Sequence, residues 1–320
     1  MKRAILFLLL LILLPAAQAQ QARVYRVGIV FHGGIYATAI DGMRAGLKEL
    51  GLEETKHYLL HVRDTKGDLK SVAAVARGLE AEKVDLIFSI ATSVTLEAKR
   101  ATKSVPIVFY AGTDPTAVGL VESFRKPGGR LTGIYGRLGD LTAKRIELLK
   151  AMVPTLRRLV TFYDPANPNF GAAAKLAREA TRQLGLELVE HPVGSVEEFR
   201  AALRAFQPRK GDGFIYLSDA MIVSQSELVV ETANQKKMPA IFADRASVVS
   251  GGLASYGQSY YELGRLSAQY MRKILLGANQ GDLPVEQLDR LHFAINLKTA
   301  KALGLTIPQA VLARADEVIE

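Results

Sequence analysis

Residues 106–133 read PIVFYAGTDPTAVGLVESFRKPGGRLTG. The opening run, residues 106–110, has the length and branching of a buried strand. The chain then breaks at residues 111–115, AGTDP, and again at Pro127, Gly128 and Gly129. That order predicts one strand of an α/β sheet, a polar turn at its carboxyl end, and a linker leading away. Open parallel sheets bind ligands at the carboxyl ends of their strands. The first break is therefore a candidate site, and the second a candidate boundary between lobes.

Outward from this stretch the same alternation continues in both directions. Toward the N-terminus, residues 84–88 form a strand, and Thr92 and Ser93 open a helix running to about residue 103. Earlier, residues 24–31 read as the first strand and His32, Gly33 and Gly34 as a turn. Ile40, Met43, Leu47 and Leu50 follow at helical spacing. Residues 57–63 predict a second strand, with Leu69, Val72, Ala76 and Leu79 marking the helix after it. Strands alternating with helices of this length imply right-handed βαβ units and a parallel sheet.

Beyond Gly133 the pattern restarts. A helix is expected over 141–152, a strand over 158–163 and a turn over 164–169. A helical stripe over 173–184, a strand over 186–189, a capped helix over 195–206 and a strand over 213–217 follow. The halves correspond: residues 85–93 lead through a helix to 105–114, and 213–219 lead through a helix to 238–244. Each has a strand, a polar turn, a helix, an Xaa-Pro step, a strand and an aspartate-bearing turn. The chain then returns through a short strand at 251–256, a long helix with Leu263, Leu266, Tyr270 and Ile274 on one face, a last strand at 291–295 and a terminal helix at 297–303. The expected division is 24–131 plus 257–285 for lobe 1, and 132–256 plus 286–320 for lobe 2. Lobes joined by several crossings can hinge and close on a ligand.

Composition bounds the setting. Met1, Lys2 and Arg3 precede an apolar run over 5–14, Pro15, and Ala17-Gln18-Ala19. A basic start, a short apolar stretch and a small-x-small site predict a secretory signal peptide over residues 1–19. The apolar run is about half the ~20 residues needed to span a bilayer. The 320 residues include no cysteine, so there is neither a disulfide nor a lipid-bearing cysteine at the cleavage site. A free, periplasmic protein without a lipid anchor is expected. The net charge of +9 is dispersed along helices, which fits a solvated surface and argues against a nucleic-acid partner.

Segments 114–121 (DPTAVGLV), 125–133 (RKPGGRLTG), 144–149 (KRIELL), 251–257 (GGLASYG), 274–277 (ILLG), 282–287 (DLPVEQ) and 295–305 (INLKTAKALGL) resemble the periplasmic substrate-binding proteins of ABC transporters. The similarity runs from about Val24 to the C-terminus, in matching order and spacing. One departure is Arg130, where the family usually has Asn after the paired glycines. The resemblance implies a type I periplasmic binding protein: two similar parallel-sheet α/β lobes joined by three hinge crossings. It also implies an amino-acid ligand, aromatic ones among them, and a permease with its ATPase as partners. A monomer without a cofactor is expected.

Enzyme motifs are missing: there is no G-x-S-x-G, no G-x-x-x-x-G-K-[ST] and no H-E-x-x-H. His57 and His61 would share a strand face, but no third metal ligand stands out. An amino-acid cleft needs donors for a carboxylate, an acceptor for an ammonium, and walls. Thr92 and Ser93, at a strand-to-helix turn, suit the carboxylate or simply cap the helix. Asp114, beside Thr113, is an ammonium acceptor or an N-cap before Pro115. Asp219, at the matching strand end of the second lobe, is the stronger acceptor, and it too can cap. Asp244 is a third, with Arg245 as its alternative salt-bridge partner. Phe31, His32, Tyr110, Tyr135, Phe170 and Tyr256 are candidate walls. The expected function is an exported solute-binding protein delivering an amino acid or related carboxylate to an ABC importer. A ligand sensor presenting its closed form to a membrane receptor is the alternative, and an enzyme the third.

Overall fold

The computed structural model describes residues 23–137, 141–167, 170–217 and 219–320. The expected signal peptide, residues 1–19, lies outside the described residues. Five strands come first: β1 (Tyr25–Phe31), β2 (Tyr58–Asp64), β3 (Leu86–Ile90), β4 (Ile107–Ala111) and β5 (Leu131–Tyr135). Then follow β6 (Arg158–Tyr163), β7 (Glu187–Pro192), β8 (Asp212–Ile215), β9 (Ala240–Phe242) and β10 (Ala254–Gly257). The last are β11 (Glu286–Gln287), β12 (His292–Asn296) and β13 (Glu317–Ile319). One sheet runs in the order β11-β5-β4-β3-β1-β2, the other β13-β12-β10-β9-β8-β6-β7. Pairing is parallel throughout except between β10 and β12.

Helices cover both faces of each sheet, so β3, β4 and β5 are buried at every residue. This explains why those strands read as continuous apolar runs rather than alternating ones. Helix Ala37–Glu49 packs on helix Tyr260–Leu275 with no room for a side chain at the crossing. A Cβ on Gly42 would lie 1.8 Å from the Tyr261 carbonyl oxygen, and one on Gly264 1.8 Å from that of Ala39. The return helix is thereby locked to the first lobe.

The chain passes between the sheets three times: between Tyr135 and Leu141, between Gly257 and Tyr260, and between Gln287 and His292. Residues 127–133, expected as the first crossing, do not form it. Leu131–Tyr135 is a strand of the first sheet, its Ile134 paired with Tyr110, and Glu286–Gln287 adds the outermost strand beside it. The first sheet therefore extends past the boundaries expected at 131 and 285. Arg130 lies outside the crossing. Its guanidinium donates to the carbonyls of Lys99, Thr102 and Val105 at 2.6, 2.9 and 3.0 Å. That places a cation on the carbonyl end of helix Thr92–Ala101, where the helix dipole favours one. The helix Gln309–Leu312 and β13 lie beyond the last element read from sequence.

Candidate functional site

Strands β3 and β4 run in register, with Ile90 opposite Tyr110, so their carboxyl ends finish side by side. Helix Thr92–Ala101 starts there from Ala91, whose φ is 97° and ψ 146°. That conformation is nearly reserved for glycine and costs about 1–3 kcal/mol. Ala91 has no side chain with which to cap the helix. The Thr92 hydroxyl does not cap it either; its Oγ1 accepts from the Gly112 N–H at 3.0 Å and ties the two strand-end turns together. The first turn of the helix is thus left uncapped by any side chain and borders a cavity lined by Ala91, Thr92 and Ser93. A helix N-terminus with free N–H groups is a ready anion site.

The opposite wall comes from the second lobe. Asp219 is 2% exposed and heads helix Ala220–Ser224. Its Oδ1 accepts from the N–H groups of Met221 and Ile222 at 3.0 and 3.3 Å. Its Oδ2 accepts from the Asp164 N–H at 2.7 Å, and the Asn167 side chain adds a further hydrogen bond. Burial raises the carboxyl to about pH 6, against the downward pull of these hydrogen bonds. The carboxylate both caps its helix and pins the turn after β6 to the cavity wall.

Of the residues singled out from sequence, Thr92, Ser93, Tyr110, Thr113 and Asp219 line this one cavity, which measures about 40 Å³. Asp114 stays within its own turn, accepting from the Thr116 N–H and hydroxyl and the Ala117 N–H. Asp244 caps helix Arg245–Val249 through Ala246 and also accepts from the Tyr260 N–H at 3.0 Å. Arg245, its expected partner, pairs with Glu317 instead. Phe31 belongs to the core, Tyr135 packs on Phe124, Phe170 stacks on Tyr163, and Tyr256 meets Phe293 edge-on. His32 is buried, its Nδ1 2.7 Å from Thr65 Oγ1. The Thr65 hydroxyl already donates to the Phe31 carbonyl, so the His32 Nδ1–H must be the donor. Burial lowers His32 to about 4, so the ring is neutral at neutral pH.

Among the cavity residues that sequence reasoning did not single out, Tyr36 and Asn167 carry polar groups. Tyr36 lies on a single 3₁₀ turn, Gly34–Tyr36, and presents its ring to the cavity while packing edge-on against Tyr260 at 4.9 Å. Asn167 comes from the turn after β6. The signal available was an aromatic residue just after a double glycine at a strand end, and an Asn in an Asp-Pro turn. His57 and His61 separate: His57 Nδ1 accepts from the Glu53 N–H, and His61 bonds Glu82. Among the described residues no group of three or more His, Asp or Glu could hold a metal ion.

Residues 24–319 match the ABC transporter substrate binding protein family. The chain belongs to that family. Its members bind solutes and are not enzymes. This substrate-binding protein is 30% identical over 267 residues to the tyrosine-binding protein of Clostridioides difficile (strain R20291), covering 83% of this chain and 76% of that one. It is 26% identical to an ABC domain from Streptococcus pneumonia solved in complex with L-Trp, with a TM-score of 0.80 over 93% of this chain and 100% of that one. A ligand-free, open structure of a substrate binding protein with adhesive properties from Clostridium difficile is 25% identical, with a TM-score of 0.59 over 92% and 99%. Identity barely differs between these two structures. The whole chain superposes more closely on the L-Trp complex than on the ligand-free, open structure. Among the described residues, no helix is long and apolar enough to cross a membrane.

Proposed function

We propose that this substrate-binding protein captures an aromatic L-amino acid between its lobes and delivers it to an ABC importer. The observation that carries the proposal is the pairing of two unlike walls across one cavity. The uncapped helix start at Thr92 and Ser93 suits a carboxylate, and the buried Asp219 with Asn167 suits an ammonium. Asp219 already accepts from its own helix, from Asp164 and from Asn167, so the contacting acceptor is the carbonyl oxygen of Asn167. The Asp219 charge stands directly behind it. Tyr36 and Tyr110 supply aromatic surface for a ring. The tyrosine-binding relative and the L-Trp complex support the same ligand class. A 40 Å³ cavity is far below the roughly 300 Å³ of a small-ligand pocket, so the lobes part to admit the amino acid. Export through residues 1–19, a free periplasmic monomer, and a permease with its ATPase complete the proposed setting.

Thermal unfolding of the purified mature protein against a library of amino acids and organic acids tests this. L-tyrosine or L-tryptophan at about 100 times its Kd should stabilise by about 2.7 kcal/mol. A folded sample that no amino acid stabilises would overturn the ligand class.

A further inference from the structure

Behind the cavity, where the crossings meet, the side chain of Arg145 is buried with no counter-ion. It is 2% exposed, its Nε donates to the Tyr256 carbonyl at 2.7 Å, and its Nη2 has no acceptor. The neighbouring groups that act on its charge are Tyr260, Tyr110 and Tyr256, with no carboxylate among them. Asp244, a buried carboxylate that shares Tyr110 and Tyr260 as neighbours, is occupied by the N–H groups of Ala246 and Tyr260. Three further buried atoms here lack partners, the Tyr260 hydroxyl among them; the other two are the Tyr110 hydroxyl and Gln258 Oε1. Both stand over Gly136, where a Cβ would lie 3.0 and 2.0 Å from them, and a Cβ on Gly257 would lie 3.2 Å from Arg145 Nη2.

A buried guanidinium without a counter-ion costs several kcal/mol. Burial lowers Arg145 only to about 10, so it stays charged at neutral pH, while Tyr110 and Tyr260 are pushed up and stay neutral. The seam is therefore positive and rich in hydrogen-bond donors. A groove of about 210 Å³ reaches Gly257 and Gln258 from the solvent side. Its rim carries Arg245, which pairs with Glu317; Glu262, which pairs with Arg265; and Arg290, whose charge favours an anion there.

We propose that this seam is an anion site, in which a halide from solution sits against Arg145 Nη2 and the Tyr110 hydroxyl. Tyr110 borders both the seam and the cavity. The site does not rest on the amino-acid proposal above, which places the ligand carboxylate at Thr92 and Ser93.

The test uses the whole mature protein. Crystals grown in sodium bromide should show an anomalous peak within hydrogen-bond distance of Arg145 Nη2. Ligand-free protein in sodium chloride should melt about 2 °C or more above the same protein in sodium gluconate at equal ionic strength, and Arg145→Met should abolish the difference. Saturating L-tyrosine or L-tryptophan, whose carboxylate is placed at Thr92 and Ser93, should leave both the bromide peak and the chloride dependence in place; loss of both would overturn a halide site separate from the ligand. Ordered water in place of bromide, or equal melting of the wild-type protein in the two salts, overturns the site. A bromide peak without the melting shift is an adventitious ion only and overturns it too. If Arg145→Met does not fold, the wild-type crystal and the salt comparison still decide. If neither amino acid binds, the halide measurements stand alone, and only the amino-acid proposal has failed.

Discussion

Gly34, on the first lobe, lies against Ser224, on the second, so closely that a Cβ would sit 1.9 Å from the Ser224 carbonyl oxygen. The φ of Gly34 is +57°, a second reason for glycine there. The two lobes meet through this contact beside the candidate ligand cavity. Gly34→Ala should hold them apart while sparing each lobe. Small-angle scattering should show a more extended particle in saturating ligand, and affinity for L-tyrosine or L-tryptophan should fall at least about tenfold, or 1.4 kcal/mol. Unchanged affinity would show that the lobes close without this contact.

The Asp219 carboxyl titrates at about 6 in the folded protein, above its ordinary 3.8, chiefly because it is buried. A raised folded value means that its contribution to stability is fully present below about 3.8 and is lost as pH rises through 6. Ligand binding runs the other way, because an ammonium prefers the ionised form. Affinity for an amino acid should therefore drop by up to about tenfold per pH unit below 6. Calorimetry across pH 4–8 should show both slopes in wild-type protein and neither in Asp219→Asn.

Ala91 holds a glycine-type conformation at the start of helix Thr92–Ala101, which we propose receives the ligand carboxylate. Ala91→Gly relieves about 1–3 kcal/mol of strain and adds about 0.5–1 kcal/mol of unfolded-chain entropy. A net gain of about 1 kcal/mol in urea unfolding is expected. A loss would mean that the surrounding strands hold Ala91 without strain.

Gly264 faces the Ala39 carbonyl at the tightest crossing of the first lobe. Gly264→Ala must push helix Ala37–Glu49 away from helix Tyr260–Leu275. Overpacking against backbone costs about 1–3 kcal/mol or more, and the midpoint of denaturation should fall accordingly. Gly78, which has open space around its Cβ position, is the control on helix Leu69–Ala81, where Ala should stabilise slightly.

Much of the fold was legible because local pattern and global layer agree. Helix Leu141–Met152 and strand Arg158–Tyr163 fall at their expected bounds, since apolar spacing and turn residues act within a few positions. Residues 127–133 read as a crossing because Pro127, Gly128 and Gly129 open the segment and Gly133 closes it, whereas the structure starts a strand at Leu131. Yet Gly133 is required there: a Cβ would lie 2.0 Å from the Phe109 carbonyl oxygen on the neighbouring strand. A glycine that breaks a strand locally here permits its pairing. Phe31 and Tyr110 are alike in sequence, aromatic residues near a strand end, and both join the core, but only Tyr110 also borders the cavity. Only the path of the neighbouring helices separates them.

The residues 106–133 from which the fold was read determine a buried strand with a polar turn at its carboxyl end, and the alternation around them determines two α/β lobes. These follow from sequence because apolar periodicity and turn chemistry are local. Tertiary structure decided which side chains share the cavity. Asp114 and Asp219 occupy matching strand ends, yet one serves only its own turn and the other, buried with Asn167, faces Thr92 across the lobes. Burial and apposition depend on contacts across well over 100 residues of chain, from Ser93 to Asp219 or from Arg145 to Tyr256, and no local pattern encodes that distance.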